Sequence, residues 1–138
     1  MPVSQTRLDR QRKIIAFAAV VEAATGLTLA IDPALVVRLL VGVEVSGAGT
    51  LLGRCFGISL LALGLACWPD TRRAQGGGSA LRGMLVYNAL ITIYLAFLGT
   101  VRHLEGWLLW PAVALHAVVA LLLVSTWLGQ RSANAADE

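Results

Sequence analysis

The stretch KIIAFAAVVEAATGLTLAI, residues 13–31, decides the fold class, because a single carboxylate, Glu22, interrupts an otherwise apolar run. A helix of this length rises 1.5 Å per residue and reaches roughly 28 Å, close to the thickness of the hydrocarbon layer of a bilayer. We therefore interpret residues 13–31 as a retained first membrane span.

Three more apolar runs of about 20 residues follow, at residues 47–68, 81–100 and 107–128. The composition agrees with them: 57% of the chain is hydrophobic and 14% is charged, whereas a soluble domain carries about 25% charged residues. We predict an all-α integral membrane protein, a four-transmembrane-helix bundle over residues 13–128. A basic tail, residues 1–12, precedes the bundle, and a second tail, residues 129–138, follows it.

A short interfacial helix is predicted between the first two spans. Asp32 followed by Pro33 is typical of a helix start, with the aspartate as N-cap and the proline in the first helical position. A helix over residues 34–44 would lie at the membrane surface, with Arg38 and Glu44 directed toward water or lipid headgroups. The alternative is a longer, kinked second span.

Positive charge sets the expected orientation. Eight of the 11 lysine and arginine residues fall on the side of the two termini, which the positive-inside rule places in the cytoplasm. The four tryptophans lie near span ends, as in an aromatic belt: Trp68, Trp107, Trp110 and Trp127. The net charge of +3 therefore indicates topology rather than nucleic-acid binding, and we expect a multi-pass protein of the bacterial inner (plasma) membrane.

Small residues mark the faces on which helices pack. Gly49, Gly53 and Gly57 recur every four residues in the second span. Ala18 and Gly26 in the first span are eight residues apart, which fits the same four-residue spacing. Close backbone approach favours helix association in lipid, where the hydrophobic effect does not act between helices. This glycine face is expected to hold another span of the chain or a second copy, giving a homodimer or a larger complex.

Each predicted span also carries one polar side chain near mid-depth: Glu22, Arg54, Asn88 and His116. A charge at this depth costs about 2.5–3.5 kcal/mol on insertion scales, so such groups face inward and pair. We expect a Glu22–Arg54 ion pair with Asn88 and His116 as hydrogen-bonding neighbours. Tyr87 and Tyr94 complete the candidate ligand-binding or proton-relay residues. The ion pair could instead serve only to fix helix register, or to contact another protein.

No catalytic motif is present: the sequence lacks GxSxG, HExxH, the P-loop and GxGxxG. Neither a metal site nor a cofactor is indicated. A non-enzymatic role is favoured, with one enzymatic alternative left open, a membrane enzyme or redox subunit using His116 and Glu22 as acid and base.

Two resemblances add to this interpretation. The segments GRCFGISLLALGLACW, residues 53–68, and DPALVVRLL, residues 32–40, resemble DoxX-like small four-helix bacterial inner-membrane proteins. That resemblance implies the four-span fold and carries over no catalytic residue. The segment VVEAATG, residues 20–26, is similar in setting to small multidrug resistance transporters, whose first span holds a membrane-embedded glutamate. This chain differs from them in its greater length, its interfacial segment and Arg54.

The expected function is therefore that of a small polytopic membrane protein with an accessory, scaffold or small-ligand-binding role. The alternative is a proton-coupled small-molecule transporter that works as a dimer, with Glu22 as its titratable site.

Overall fold

The computed structural model describes residues 2–69 and 77–134, which form five helices and contain no strand. The helices are α1 (Pro2–Ile31), α2 (Pro33–Val41), α3 (Ala48–Ala66), α4 (Gly77–Thr100) and α5 (Leu109–Asn134). Each helix except α2 holds a segment long and apolar enough to span a membrane: Gln5–Ile31, Ala48–Ala66, Gly78–Thr100 and Leu109–Gly129. The all-helical class and the four long apolar helices are confirmed.

The terminal segments are more helical than expected. α1 begins at Pro2, so the basic residues assigned to a tail extend the first apolar helix without a break. Glutamine, arginine and leucine are good helix formers, and proline is tolerated in the first turn. α5 likewise continues to Asn134. Met1, residues 70–76 and residues 135–138 lie outside the described residues, and with them two arginines of the orientation count, Arg72 and Arg73.

α2 is a separate short helix with a cap at each end. The Asp32 side chain accepts a hydrogen bond of 3.0 Å from a backbone N–H of the first turn. At the other end Gly42 has φ of 77°, a left-handed conformation that glycine adopts without strain, and its N–H donates to the Arg38 carbonyl. The next helix starts only at Ala48, so the alternative of one longer, kinked second span is wrong. Arg38 and Glu44 are both exposed, 3.9 Å apart.

The closest helix contact joins α1 to α3 through glycines. A Cβ atom added to Gly57 would lie 2.5 Å from the Ala30 nitrogen and 2.7 Å from the Gly26 carbonyl oxygen. A Cβ on Gly64 would lie 2.7 Å from the Ala19 carbonyl oxygen. The two backbones therefore touch at two levels, where any larger residue would hold them apart.

The other small residues of the expected packing face have different neighbours. Gly53 lies against Pro33 of α2, with 2.7 Å between an added Cβ and the proline Cβ. Among the described residues, a Cβ added to Gly49 would meet only Val45 of the preceding segment. Ala18 is buried in the core. The chain's own α1 and α2 thus cover the glycine face at Gly57 and Gly53.

The four long helices form two pairs. α1 packs most extensively against α3 and α4 against α5, and α1 joins the pairs by touching both α4 and α5. We call the boundary between the pairs the seam. Near the N-terminal half of α1 the seam is filled by a buried core: Ile15, Ala18, Ala19, Cys67, Leu81, Met84, Val119 and Leu123.

The opposite end of the seam is closed by α2. The Leu108 N–H, just before α5, donates a hydrogen bond of 2.8 Å to the Leu39 carbonyl of α2. Beside it, the backbone of Gly106 packs directly on the backbone of Leu40, where a Cβ would not fit. The seam is therefore fixed by apolar packing at one end and by backbone contact at the other.

Candidate functional site

Glu22 lies on the seam, one helical turn beyond Ala18, and is completely buried. Helical spacing places it on the same face of α1 as Ala18 and Ile15, which belong to the core. Both of its carboxylate oxygens are buried and have no hydrogen-bond partner among the described residues. Burial of an unpaired carboxylate is costly, because lost hydration is not replaced by donors.

Asn88 of α4 fixes the protonation pattern of His116 on α5. The Asn88 amide nitrogen donates to the Met84 carbonyl at 2.9 Å, and the amide oxygen lies 2.8 Å from His116 Nδ1. The Met84 carbonyl can only accept, so it sets the orientation of the amide. The amide oxygen can likewise only accept, so Nδ1 carries the proton. A neutral His116 ring then presents Nε2 as an acceptor.

His116 lies beside Glu22 without being hydrogen-bonded to it. The distance from His116 Nδ1 to Glu22 Oε1 is 3.7 Å, longer than a hydrogen bond, and the Nδ1 proton is directed to Asn88. Tyr87 packs edge-on against the imidazole, with ring centroids 6.0 Å apart, and its phenol interacts electrostatically with Glu22. These four residues, Glu22, Tyr87, Asn88 and His116, are the Glu22 cluster.

The expected ion pair between Glu22 and Arg54 does not form. Arg54 is exposed on α3 and makes no ion pair with any described residue. The cause is the relative height of the two helices: Gly64, not Arg54, lies level with Ala19 and Ala23 beside Glu22. Arg54 precedes Gly64 by ten residues, which places it about 15 Å further along α3.

Tyr94 also lies outside the cluster. It follows Tyr87 by two helical turns and is 57% exposed. Two further residues of the packed faces were not predicted from the sequence. Gln11 is buried eleven residues before Glu22, a spacing that returns to the same face of α1, and it had been assigned to the tail. Gly64 follows Gly57 by seven residues, about two helical turns, and so extends the close-packed face of α3 beyond the expected glycines.

Most helical hydroxyls in the described part of the chain are satisfied locally. Several side-chain hydroxyls donate to the carbonyl one turn earlier in their own helix: Thr28, Ser59, Thr92, Thr100, Thr126 and Ser132. Such back-bonding lets a polar side chain occupy apolar surroundings. Glu22 has no comparable local partner, which sets it apart from these groups.

No family model, curated protein or solved structure matches the chain. The resemblances to DoxX-like proteins and to small multidrug resistance transporters therefore gain no support from these comparisons. The chemistry of the site rests on its own residues.

Proposed function

We propose that the chain is a small multi-pass protein of the bacterial inner membrane with both termini in the cytoplasm. The outward faces of the long helices support membrane insertion: Leu52 is 69% exposed, Ile93 67% and Leu121 68%. Apolar surface of this extent suits lipid and is unusual against water. Carbonate extraction and flotation of the expressed protein test insertion, and reporter fusions at either terminus test orientation.

We propose further that the Glu22 cluster binds a small cationic ligand, such as a protonated amine. The observation that carries this proposal is the buried Glu22 carboxylate, which accepts no hydrogen bond of ordinary geometry from the described residues although the Tyr87 phenol lies close to it. A carboxylate that only fixed helix register would be best matched by Arg54, which lies elsewhere on α3. The carboxylate offers more acceptor sites than the Tyr87 phenol can fill, and the N–H groups of an amine would occupy the others through charge-assisted hydrogen bonds, which are the stronger kind.

The ligand would bind at the seam, where two helix pairs meet. Glu22 comes from one pair, and Tyr87, Asn88 and His116 come from the other. Because α1 is held more extensively by α3 than by α4 or α5, separation of the pairs is the least costly route to the buried carboxylate. The following experiment distinguishes ligand binding from a role as an accessory protein or scaffold without a ligand.

The test is thermal unfolding of the detergent-solubilised protein with ammonium, methylammonium or dimethylammonium chloride, against sodium chloride at equal ionic strength. A ligand at 100 times its Kd stabilises the native state by about 2.7 kcal/mol, which raises the unfolding midpoint. Glu22→Gln keeps the shape of the side chain and removes its charge, so the amine-dependent rise should vanish. Glu105→Gln, which alters an exposed carboxylate in the α4–α5 turn, should retain the rise. Equal rises in wild type and Glu22→Gln, or none in wild type, would support the scaffold role instead.

Proton-coupled transport at the same residue is the second candidate function. Its support is that Glu22 lies beside His116 yet is hydrogen-bonded to no described residue, so a proton and a cation could alternate on the carboxylate. A transporting dimer would have to use a face other than the covered glycines Gly53 and Gly57. In proteoliposomes with a pH gradient, wild type should drive uptake of a methylammonium probe and Glu22→Gln should not. Binding without pH-driven uptake would eliminate transport and leave the binding function.

A further inference from the structure

A cleft of about 490 Å³ lies beside the N-terminal half of α1, away from the Glu22 cluster. Its walls include Asp9, Arg10, Lys13, Ile14 and Phe17 of α1, together with Leu122 of α5. The cleft therefore combines two cationic side chains with three large apolar ones.

The charged and apolar residues of the cleft follow one another along the helix axis. Positions 10, 13, 14 and 17 recur at three- and four-residue spacing and so share one face of α1. Arg10 and Lys13 come first and Phe17 last, a rise of about 10 Å. Phe17 is 51% exposed, so its ring faces outward. The cleft is thus charged toward the N-terminus of α1 and apolar toward Phe17. This arrangement matches the headgroup and the acyl chain of a phospholipid.

We propose that this cleft binds an anionic phospholipid with a monoanionic phosphodiester and a hydroxyl-bearing headgroup, of the phosphatidylglycerol type. Arg10 and Lys13 would hold the phosphate, and an acyl chain would lie along Phe17 and Leu122. Basic pockets on the cytoplasmic side of membrane helices are suited to such headgroups. This inference rests on the membrane placement under the proposed function and is independent of the Glu22 cluster.

Asp9 supplies the headgroup preference. It adds a negative charge to the same cleft as Arg10 and Lys13, which disfavours a doubly charged phosphate monoester. The Asp9 carboxylate can instead accept hydrogen bonds from glycerol hydroxyls. The cleft should therefore prefer phosphatidylglycerol to both phosphatidic acid and phosphatidylcholine.

The test is native mass spectrometry of the detergent-solubilised protein with phosphatidylglycerol, phosphatidic acid or phosphatidylcholine of identical acyl chains. The double variant Arg10→Gln/Lys13→Gln should bind phosphatidylglycerol about 25-fold more weakly, since each basic side chain near an anionic lipid contributes about fivefold. The matched control is Arg7→Gln/Arg12→Gln, which removes two exposed basic residues of the same helix that do not line the cleft. It should change binding less than twofold. Asp9→Asn should raise phosphatidic acid binding relative to phosphatidylglycerol.

Phe17→Ala provides an arm that leaves every charge in place, and it should weaken phosphatidylglycerol binding severalfold. Unchanged thermal midpoints verify that each variant folds. Equal losses in the two double variants, or equal binding of phosphatidylglycerol and phosphatidylcholine by wild type, would overturn the proposal. Displacement of the lipid by millimolar glycerol phosphate would show a site for soluble anions instead. Glu22→Gln should leave lipid binding unchanged, so failure at the Glu22 cluster and failure at this cleft are separable.

Discussion

Gly57→Ala should separate α1 from α3 at the point where their backbones meet. The added Cβ would lie 2.5 Å from the Ala30 nitrogen, 2.7 Å from the Gly26 carbonyl oxygen and 2.8 Å from the Leu29 carbonyl carbon. All three are backbone atoms, so no change of rotamer can relieve the overlap. Carbon contacts are most favourable at about 3.5–4.0 Å, so the helices must move apart locally by roughly 1 Å.

Two opposing effects set the size of the change. Alanine is favoured over glycine inside a helix by about 1 kcal/mol, whereas overpacking of a tight contact costs about 1–3 kcal/mol. Gly83→Ala is the matched control, because a Cβ on Gly83 in α4 meets no atom within 4 Å. Since both variants gain the same helix propensity, the difference between them isolates the clash. We expect Gly57→Ala to be less stable than Gly83→Ala by about 1–3 kcal/mol.

Thermal or SDS-induced unfolding in mild detergent, followed by circular dichroism, measures this difference. The Gly57→Ala midpoint should fall below that of wild type, and the Gly83→Ala midpoint should equal or exceed it. Equal midpoints for the two variants would refute direct backbone contact between α1 and α3 at this level.

Three further predictions concern the cap, the cluster and the buried thiol. Asp32→Ala removes the N-cap of α2 and should cost about 1 kcal/mol, read as a lower unfolding midpoint; no change would contradict the cap. Nitrogen-15 NMR should show the His116 proton on Nδ1, and Asn88→Leu should abolish that preference; an Nε2-protonated ring in wild type would contradict the network. Burial raises the pKa of the Cys67 thiol, so in a Cys55→Ala background its maleimide labelling should need more alkaline pH than that of free glutathione. Identical pH profiles would contradict burial of the thiol.

Local features of the fold could be predicted from sequence because they depend on neighbouring residues. The four apolar helices follow from segment length and hydrophobicity, and the start of α2 follows from the Asp32–Pro33 pair. The continuation of α1 to Pro2 was missed because charge, which indicates an exposed segment, does not distinguish an exposed helix from a tail.

The partner of Glu22 could not be predicted in this way. Depth measured from the ends of the spans placed Glu22 and Arg54 in one slab. The actual offset between α1 and α3 is set by where Gly26 meets Gly57 and where Ala19 meets Gly64, and these contacts put Arg54 well away from the carboxylate. A sequence pattern shows that a face packs closely but does not give the register in which two helices meet.

The backbone hydrogen bond from Leu108 to Leu39 bears on the size of ligand that the proposed binding function would admit. Together with the apolar core at the other end, this hydrogen bond fixes the seam at both ends, and Glu22 lies between the two fixed ends. Under the proposed function, a seam held in this way would open near its middle, and the opening would be short. Under the proposed binding function, a single-amine cation would enter without disrupting either end of the seam, whereas a long polyamine or a bulky aromatic cation would have to disrupt one. For the proposed ligand, the architecture would thus impose an upper limit on size that no side chain of the cluster encodes.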